Sequence, residues 1–355
     1  DLDPFRRFGA DGDLRHAVER CVGVGACVSR TTDALMCPSY QATGRERDST
    51  RGRARTLQEM IAGGLSDSGW RSQEVREALD LCLACKGCVD DCPTSVDVAA
   101  YKSEFLAHHY RGRIRPRIHY SLGRLPTWLR LGSRAPGLVN LLLRRAPRLV
   151  GFVGGFSTDR PVPPLARRPF TRSHPEPPPD GEPIGLWPDS FNDHHSPEVL
   201  VAGHRVLIDA GYRPVLPEGR VCCGLTRITT GQLDGARREL RRTLDVLGDG
   251  DAPIVVLEPS CAAALRTDLP DLLPGDPRAA RLAERVLTFA EALGAVGYEP
   301  PGPPLHDVLV QPHCHQQAVL GIAADEEILK SAGAVDAEVL TGCCGLAGDF
   351  GMDPA

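Results

Sequence analysis

The chain has 355 residues, of which 42% are hydrophobic and 25% charged, and a formal net charge of -5. That length and apolar content suit a globular protein of two or three compact domains. No apolar run approaches the ~20 residues of a membrane-spanning helix and no secretory signal opens the sequence, so a cytoplasmic site is expected.

In chain order, the first signal is Cys21, then VGVGA, then Cys27, and later Cys37 followed by Pro38. It resembles a damaged ferredoxin motif in which Val24 stands where a central cysteine is expected. STRGRARTLQEMIAGG follows, predicting a helix with Ser49 or Thr50 as N-cap and Gly63-Gly64 as its stop. A second helix is expected over Val75 to Cys82. It runs into CLACKGCVDDCP, where Cys82, Cys85, Cys88 and Cys92 stand at C-x2-C-x2-C-x3-C before Pro93. Four soft thiolates on a tight loop suit one 4Fe-4S cube, and this is the bacterial ferredoxin spacing. Zinc sites more often show two separated C-x2-C pairs. A third helix, Val98 to Tyr110, leaves the loop, with Lys102, His108 and His109 expected on a solvated face.

In two-cluster ferredoxins the Cys-Pro cysteine of each motif serves the other cluster. By that rule Cys37 joins Cys82, Cys85 and Cys88, while Cys92 joins Cys21 and Cys27. The second site then has three thiolates, which suits a 3Fe-4S cluster or a second 4Fe-4S cluster with a borrowed ligand. The alternative is that Cys21, Cys27 and Cys37 are buried structural thiols and Cys92 closes the first cube.

From Arg111 to Arg172 there are fourteen arginines and one acid, Asp159. Apolar residues such as Trp128, Leu129, Leu131 and the LVNLLL run are interleaved with them, a pattern that suits an amphipathic helix on an anionic membrane surface. Pairing of the arginines with acidic neighbours is the competing expectation. No nucleic-acid motif accompanies the charge. Residues 161–183 hold too many prolines for a helix or central strand and read as a linker.

Beyond it, strands are expected at Ile184 to Trp187, Arg213 to Leu216 and Ile254 to Leu257, with helices at Glu198 to Ala210 and Leu233 to Leu247. A second copy begins with a strand at Val308 to Val310, a helix from Gln317 to Ser331 and a strand at Ala337 to Leu340. Each copy places a Cys-Cys-Gly after a strand, at Cys222-Cys223-Gly224 and Cys343-Cys344-Gly345. Cys261 in EPSC and Cys314 in PHCH complete six thiols for one or two sites, holding a cluster or zinc between the halves. His313 and His315 flank Cys314 as ligands or as hydrogen-bonding supports of one. The expected fold is therefore multidomain. A helical two-cluster ferredoxin-like domain (1–112) and a basic, Pro-rich connecting segment (113–183) precede an α/β CCG domain of two repeats (184–355), the second truncated.

CVGVGAC, MCPSY, STRGRAR, LCLACKGC, FLAHHYRGR, WPDSFNDH and CCGLAG resemble the C-terminal iron-sulfur half of fused FAD-linked oxidases of the D-lactate and D-2-hydroxyglutarate dehydrogenase type. The CCG repeats are similar to the family that includes heterodisulfide reductase and the iron-sulfur subunits of glycerol-3-phosphate dehydrogenase and glycolate oxidase. In that family an earlier cysteine precedes each CCG by some thirty residues. Cys314 fills this place in the second copy, whereas the first has Ser190. The resemblance implies a longer polypeptide with FAD on an N-terminal part or a partner subunit, as do the Asp at position 1 and the closeness of the last CCG to Ala355. It further implies electron passage from a 2-hydroxy acid through flavin and clusters to a quinone or other acceptor, and a place in the cytoplasm or on the inner face of the membrane. A non-catalytic metal-stabilised scaffold and thiol-disulfide chemistry at the CCG cysteines are the alternatives.

Overall fold

The computed structural model describes residues 4–29, 35–64, 69–176, 178, 180–345 and 351–352. Its first part is helical, with helices at Leu14–Glu19, Pro38–Thr43, Thr50–Ile61, Gln73–Asp80 and Val98–His109. Short polar side chains start four of them: Asp13, Ser49, Ser72 and Asp97 each accept a backbone N–H from the first turn. Ser49 is one of the two caps expected from the sequence. The helix ends at Ile61, just before Gly63 adopts a left-handed φ of 77°. Leu57, Val75, Leu79, Val96 and Phe105 form its core together with Cys27, Cys37, Cys82 and Cys88. The thiols are thus part of the packing that holds the helices together.

The solvated face expected for Lys102, His108 and His109 is not observed. Both histidines are buried. His108 Nε2 lies 2.8 Å from Glu104 Oε1, one turn earlier, and the His109 ring faces the Trp70 carbonyl at 3.1 Å. Lys102 Nζ donates to the carbonyls of Asp80 and Cys82. Polar residues one turn apart resemble a wet face in sequence, but here each has an internal partner.

The basic segment forms four short helices, Arg117–Ser121, Leu125–Gly132, Pro136–Arg145 and Pro147–Gly154. Three of them carry proline in the first turn, where its missing N–H costs nothing. Among the described residues, Arg130 is the one arginine of the fourteen that reaches a carboxylate, Glu239 at 3.6 Å. Among the described residues, pairing with acidic neighbours is therefore not what most of them do. Between 161 and 181 the described residues contain no helix or strand beyond a 3-10 turn at Phe170–Arg172.

The α/β part carries two parallel sheets. The first has order β2-β1-β3-β4, with β1 Glu182–Leu186, β2 Tyr212–Val215, β3 Ile254–Val256 and β4 Val286–Thr288. Helices Pro197–Asp209, Leu233–Leu247 and Pro277–Arg285 lie in the three crossovers, as parallel pairing requires. Side chains alternate across the sheet: Ile254 and Val256 enter the core beneath the Leu233–Leu247 helix, whereas Val255 joins Ile184, Leu186, Leu200 and Leu207 on the other face. The second sheet pairs β5 Leu309–Val310 with β6 Glu338–Val339. The single helix expected from Gln317 to Ser331 is instead a π-helical turn, Gln316–Leu320, and an α-helix, Ala323–Ser331, separated at Gly321 with φ 81°.

The helical and α/β parts pack directly against each other. Gly231 lies so near the Val98–His109 helix that a Cβ there would come within 2.8 Å of the Ala107 nitrogen. Arg115 ties the same turn down by donating to the carbonyls of Thr230 and Gly231 at 2.7 Å each. A buried charge network closes the junction. Arg6 Nη1 reaches Asp268 at 2.8 Å and Asp271 at 3.0 Å, and Lys86 Nζ reaches Asp268 at 3.2 Å.

Candidate metal centre

A cavity in the helical part is lined by Cys37, Cys82, Cys85 and Cys88, together with Met36, Arg53, Lys86 and Val98. Cys92 is not among its lining residues; it packs at the edge of the same core with Cys21. Cys27 lies within electrostatic reach of Cys21 and Cys37. The loop that presents Cys85 bends by placing two non-glycine residues in the left-handed region, Ala84 at φ 53° and Lys86 at φ 60°. Alternation of this kind turns successive backbone N–H groups toward one point, as anionic groups require.

The sulfurs already face donors. Arg51 N–H lies 3.3 Å from Cys27 Sγ and Arg53 Nη1 3.4 Å from Cys37 Sγ, while Gly87 and Val98 donate backbone N–H groups to Cys85 and Cys88. Arg53 is buried, and among the described residues its Nη2 has no hydrogen-bond partner. A buried guanidinium with an unspent donor beside four thiols fits an anionic sulfur-rich group in the cavity, because such a donor is costly without an acceptor. Burial pushes the Cys85 and Cys88 thiols up in pKa. They hold protons until a metal displaces them.

The six CCG-domain cysteines fall into two sets. In the first, Cys222, Cys223 and Cys261 share a second cavity with Trp187, Asp189 and Ser190. Cys223 and Cys261 approach to 2.9 Å between sulfurs. In the second, Cys314 lies within electrostatic reach of Cys343 and Cys344. The CCG turn is the same in both: Gly224 and Gly345 each adopt φ 75°, which only glycine takes without strain. Each donates its N–H to the first cysteine of its motif, at 3.5 Å to Cys222 Sγ and 3.4 Å to Cys343 Sγ. Among the described residues, no group of three or more His, Cys, Asp or Glu converges closely enough to hold a single metal ion.

The second set lies beside the cluster loop. Cys314 is within electrostatic reach of Cys85, and His315 Nε2 faces the Ala84 carbonyl at 2.9 Å. Burial lowers the His315 pKa to about 4, so the imidazole is neutral and donates this bond through Nε2. Sequence reasoning put His315 near a CCG ligand but missed its contact with the cluster loop. It also missed Arg53 and Lys86, which carry no motif signal of their own.

Residues 17–96 match the family model of the 4Fe-4S dicluster domain, and residues 190–266 match that of the cysteine-rich domain called CCG. With the two thiol arrangements above, these matches define an iron-sulfur chain of the electron-transfer class, in which a ferredoxin-like dicluster domain precedes a CCG domain. Among curated proteins, the chain is similar to D-2-hydroxyglutarate dehydrogenase of Pseudomonas putida, 24% identical over 94% of this chain and 38% of that protein. The Escherichia coli protein of the same name is 24% identical over 96% of the chain and 38% of its own length. A probable glycolate oxidase iron-sulfur subunit of Bacillus subtilis is 22% identical over 98% of the chain and 82% of the subunit. The chain thus spans 38% of the length of these two D-2-hydroxyglutarate dehydrogenases. No solved structure matches it.

Proposed function

We propose that this chain is the electron-transfer part of a flavin-dependent D-2-hydroxy-acid dehydrogenase, receiving electrons from an FAD-containing domain or subunit and passing them to a quinone or another acceptor. The observation that carries the reading is the cavity where Cys37 meets Cys82, Cys85 and Cys88 beneath the unspent Arg53 donor. In this reading those four cysteines hold a 4Fe-4S cluster, and Cys21, Cys27 and Cys92 hold a second cluster short of one thiolate. Such clusters supply one-electron acceptance, which a two-electron flavin needs in order to discharge in single steps.

The chain's own residues supply N–H donors to the sulfurs. Lys86, buried one residue after Cys85, turns its ammonium to Asp268 at 3.2 Å and Asp97 at 3.5 Å and so ties the loop down. The proximity of Cys314 to Cys85 gives the second CCG set a short path to the same loop. We assign Cys222, Cys223 and Cys261, and Cys314, Cys343 and Cys344, as ligands of polynuclear CCG sites. Hydrogen bonding among the neighbouring thiols, and then burial, push the Cys222 and Cys223 thiols well up in pKa, so they hold protons until a metal displaces them.

In the longer protein, Cys85→Ser is expected to leave flavin reduction by substrate intact while abolishing electron delivery to an external acceptor. Equal loss of both steps would contradict the proposal.

A further inference from the structure

Amphipathic helices of a globular protein normally turn their apolar stripe inward. Two helices of the basic segment do the reverse. In Pro136–Arg145 the exposed large hydrophobics are Leu138, Leu141 and Leu142, and no residue of the helix is buried. In Pro147–Gly154 they are Leu149, Phe152 and Val153, and the one buried residue is Gly151. Both sets have i, i+3, i+4 spacing, which puts each on a single helix face. Only Ala146 separates the helices, and they pack against one another. Phe152 is 67% exposed and Leu149 61%. Leaving six such side chains about half or more in water forgoes the gain that burying apolar surface brings, so the face is built to be covered.

The surrounding charge says by what. Arg144, Arg145 and Arg148 cluster at the joint between the two helices, all exposed. Among the described residues none of the three has a carboxylate partner, and the Arg117 guanidinium sits over the Phe152 ring at 4.6 Å. Trp128 adds an exposed aromatic in the preceding helix, with its indole N–H bonded to the Tyr120 carbonyl. A water-facing apolar stripe with aromatic residues, rimmed by unpaired arginines and almost free of acids, matches a bilayer interface in which acyl chains take the stripe and anionic headgroups take the guanidiniums.

We infer that the paired helices 136–154 form a docking surface for an anionic lipid bilayer, on which the chain lies without spanning it. Among the described residues no helix is long and apolar enough to cross a membrane. The surface stands independently of the redox reading, because it requires only the apolar stripe and its basic rim.

The test is co-sedimentation of the cluster-loaded chain, prepared without oxygen, with vesicles of phosphatidylcholine alone or containing phosphatidylglycerol. Binding is expected only to the anionic vesicles and should weaken as salt rises. Removing two rim charges with Arg144→Gln and Arg145→Gln should weaken partitioning about thirtyfold. Leu141→Ser with Leu149→Ser should abolish it, and both double variants should keep the wild-type cluster absorption, since the altered side chains are exposed. Failure to bind anionic vesicles would overturn the inference, as would binding indifferent to both double variants. Concentration-dependent dimerisation that hides Leu141 and Leu149, or a stable complex with the flavoprotein part that hides them, would also overturn it by assigning the surface to a protein.

Discussion

In the first CCG half, Cys222, Cys223 and Cys261 are buried behind a four-stranded parallel sheet. In the second, Cys314 and Cys343 are half-buried and Cys344 is exposed, on a sheet of two strands. The CCG turn itself is shared, down to the glycine φ and the N–H donated to the leading sulfur. What differs is the fourth position and the neighbour. The Pro-Asp-Ser of the first half, with Asp189 and Ser190, stands where the second has Pro-His-Cys, with His313 and Cys314. The first half reaches the cluster loop through a buried ion pair, Asp268 with Lys86, and the second through a neutral imidazole, His315 to the Ala84 carbonyl. One local turn therefore serves two settings, and the surroundings decide whether its thiols are sealed away or placed beside the ferredoxin-type loop.

The largest expected effect is on the fourth position. Under the proposed assignment, Cys314→Ser should lower the iron held by the second half while leaving the first half as it was. Ser190→Cys, which adds a thiol to the cavity already holding Cys222, Cys223 and Cys261, should raise iron retention there. Iron and sulfide analysis of the two variants checks both. An unchanged count in each would break the comparison.

Next in size is the ion-pair contact. Burial alone would push the Asp268 carboxyl up, but Lys86 and Arg6 overcome it and hold the pKa at about 2. Asp268→Asn leaves two buried cations with less compensation and should cost about 3–5 kcal/mol in urea unfolding. His315→Gln, which exchanges one neutral hydrogen-bonding group for another, should cost about 1 kcal/mol. Equal costs would mean that the two halves grip the loop in the same way.

A third contrast is accessibility. In the metal-free chain under reducing conditions, iodoacetamide should modify Cys344 before Cys222 and Cys223, by on the order of a hundredfold in rate, because the latter must wait for local opening. Peptide mass spectrometry over a time course reads the order directly.

The last contrast concerns Asp189. Burial raises its carboxyl to about 6 against donors from Phe191 and Asn192. The folded state thus keeps a proton that the unfolded chain releases near pH 3.9, so this residue's contribution to stability falls as pH rises from about 4 to 6 and stays low above that. Asp189→Asn keeps a good N-cap and removes the titration. It should flatten that part of the stability profile, measured by urea unfolding at several pH values.

Much of this was legible from the sequence because the signals were local. Ser49 announced its helix by its place ahead of a periodic run, and β1, β2 and β3 fall within two residues of their expected bounds because Gly and Pro punctuate them. β4, Val286–Thr288, was missed: three residues followed at once by FAEALGA merge into a helical pattern, and the Thr288–Glu291 capping box that divides them was overlooked. The four helices of the basic segment were read as one stretch, although prolines 126, 136 and 147 mark three of the starts. His108 was misplaced because its partner, Glu104, shows only as another polar residue one turn away. The junction network could not be found this way, since Arg6 and Asp268 stand 262 positions apart.

Iron and acid-labile sulfide per chain, determined on protein made and purified without oxygen and compared between wild type and Cys37→Ser, tests the central assignment most directly. Wild type should carry at least about seven irons with matching sulfide in the dicluster domain, and Cys37→Ser should lose about four of them while Cys21, Cys27 and Cys92 retain theirs. A wild-type chain with no iron, or a Cys37→Ser variant whose count does not change, would contradict the account.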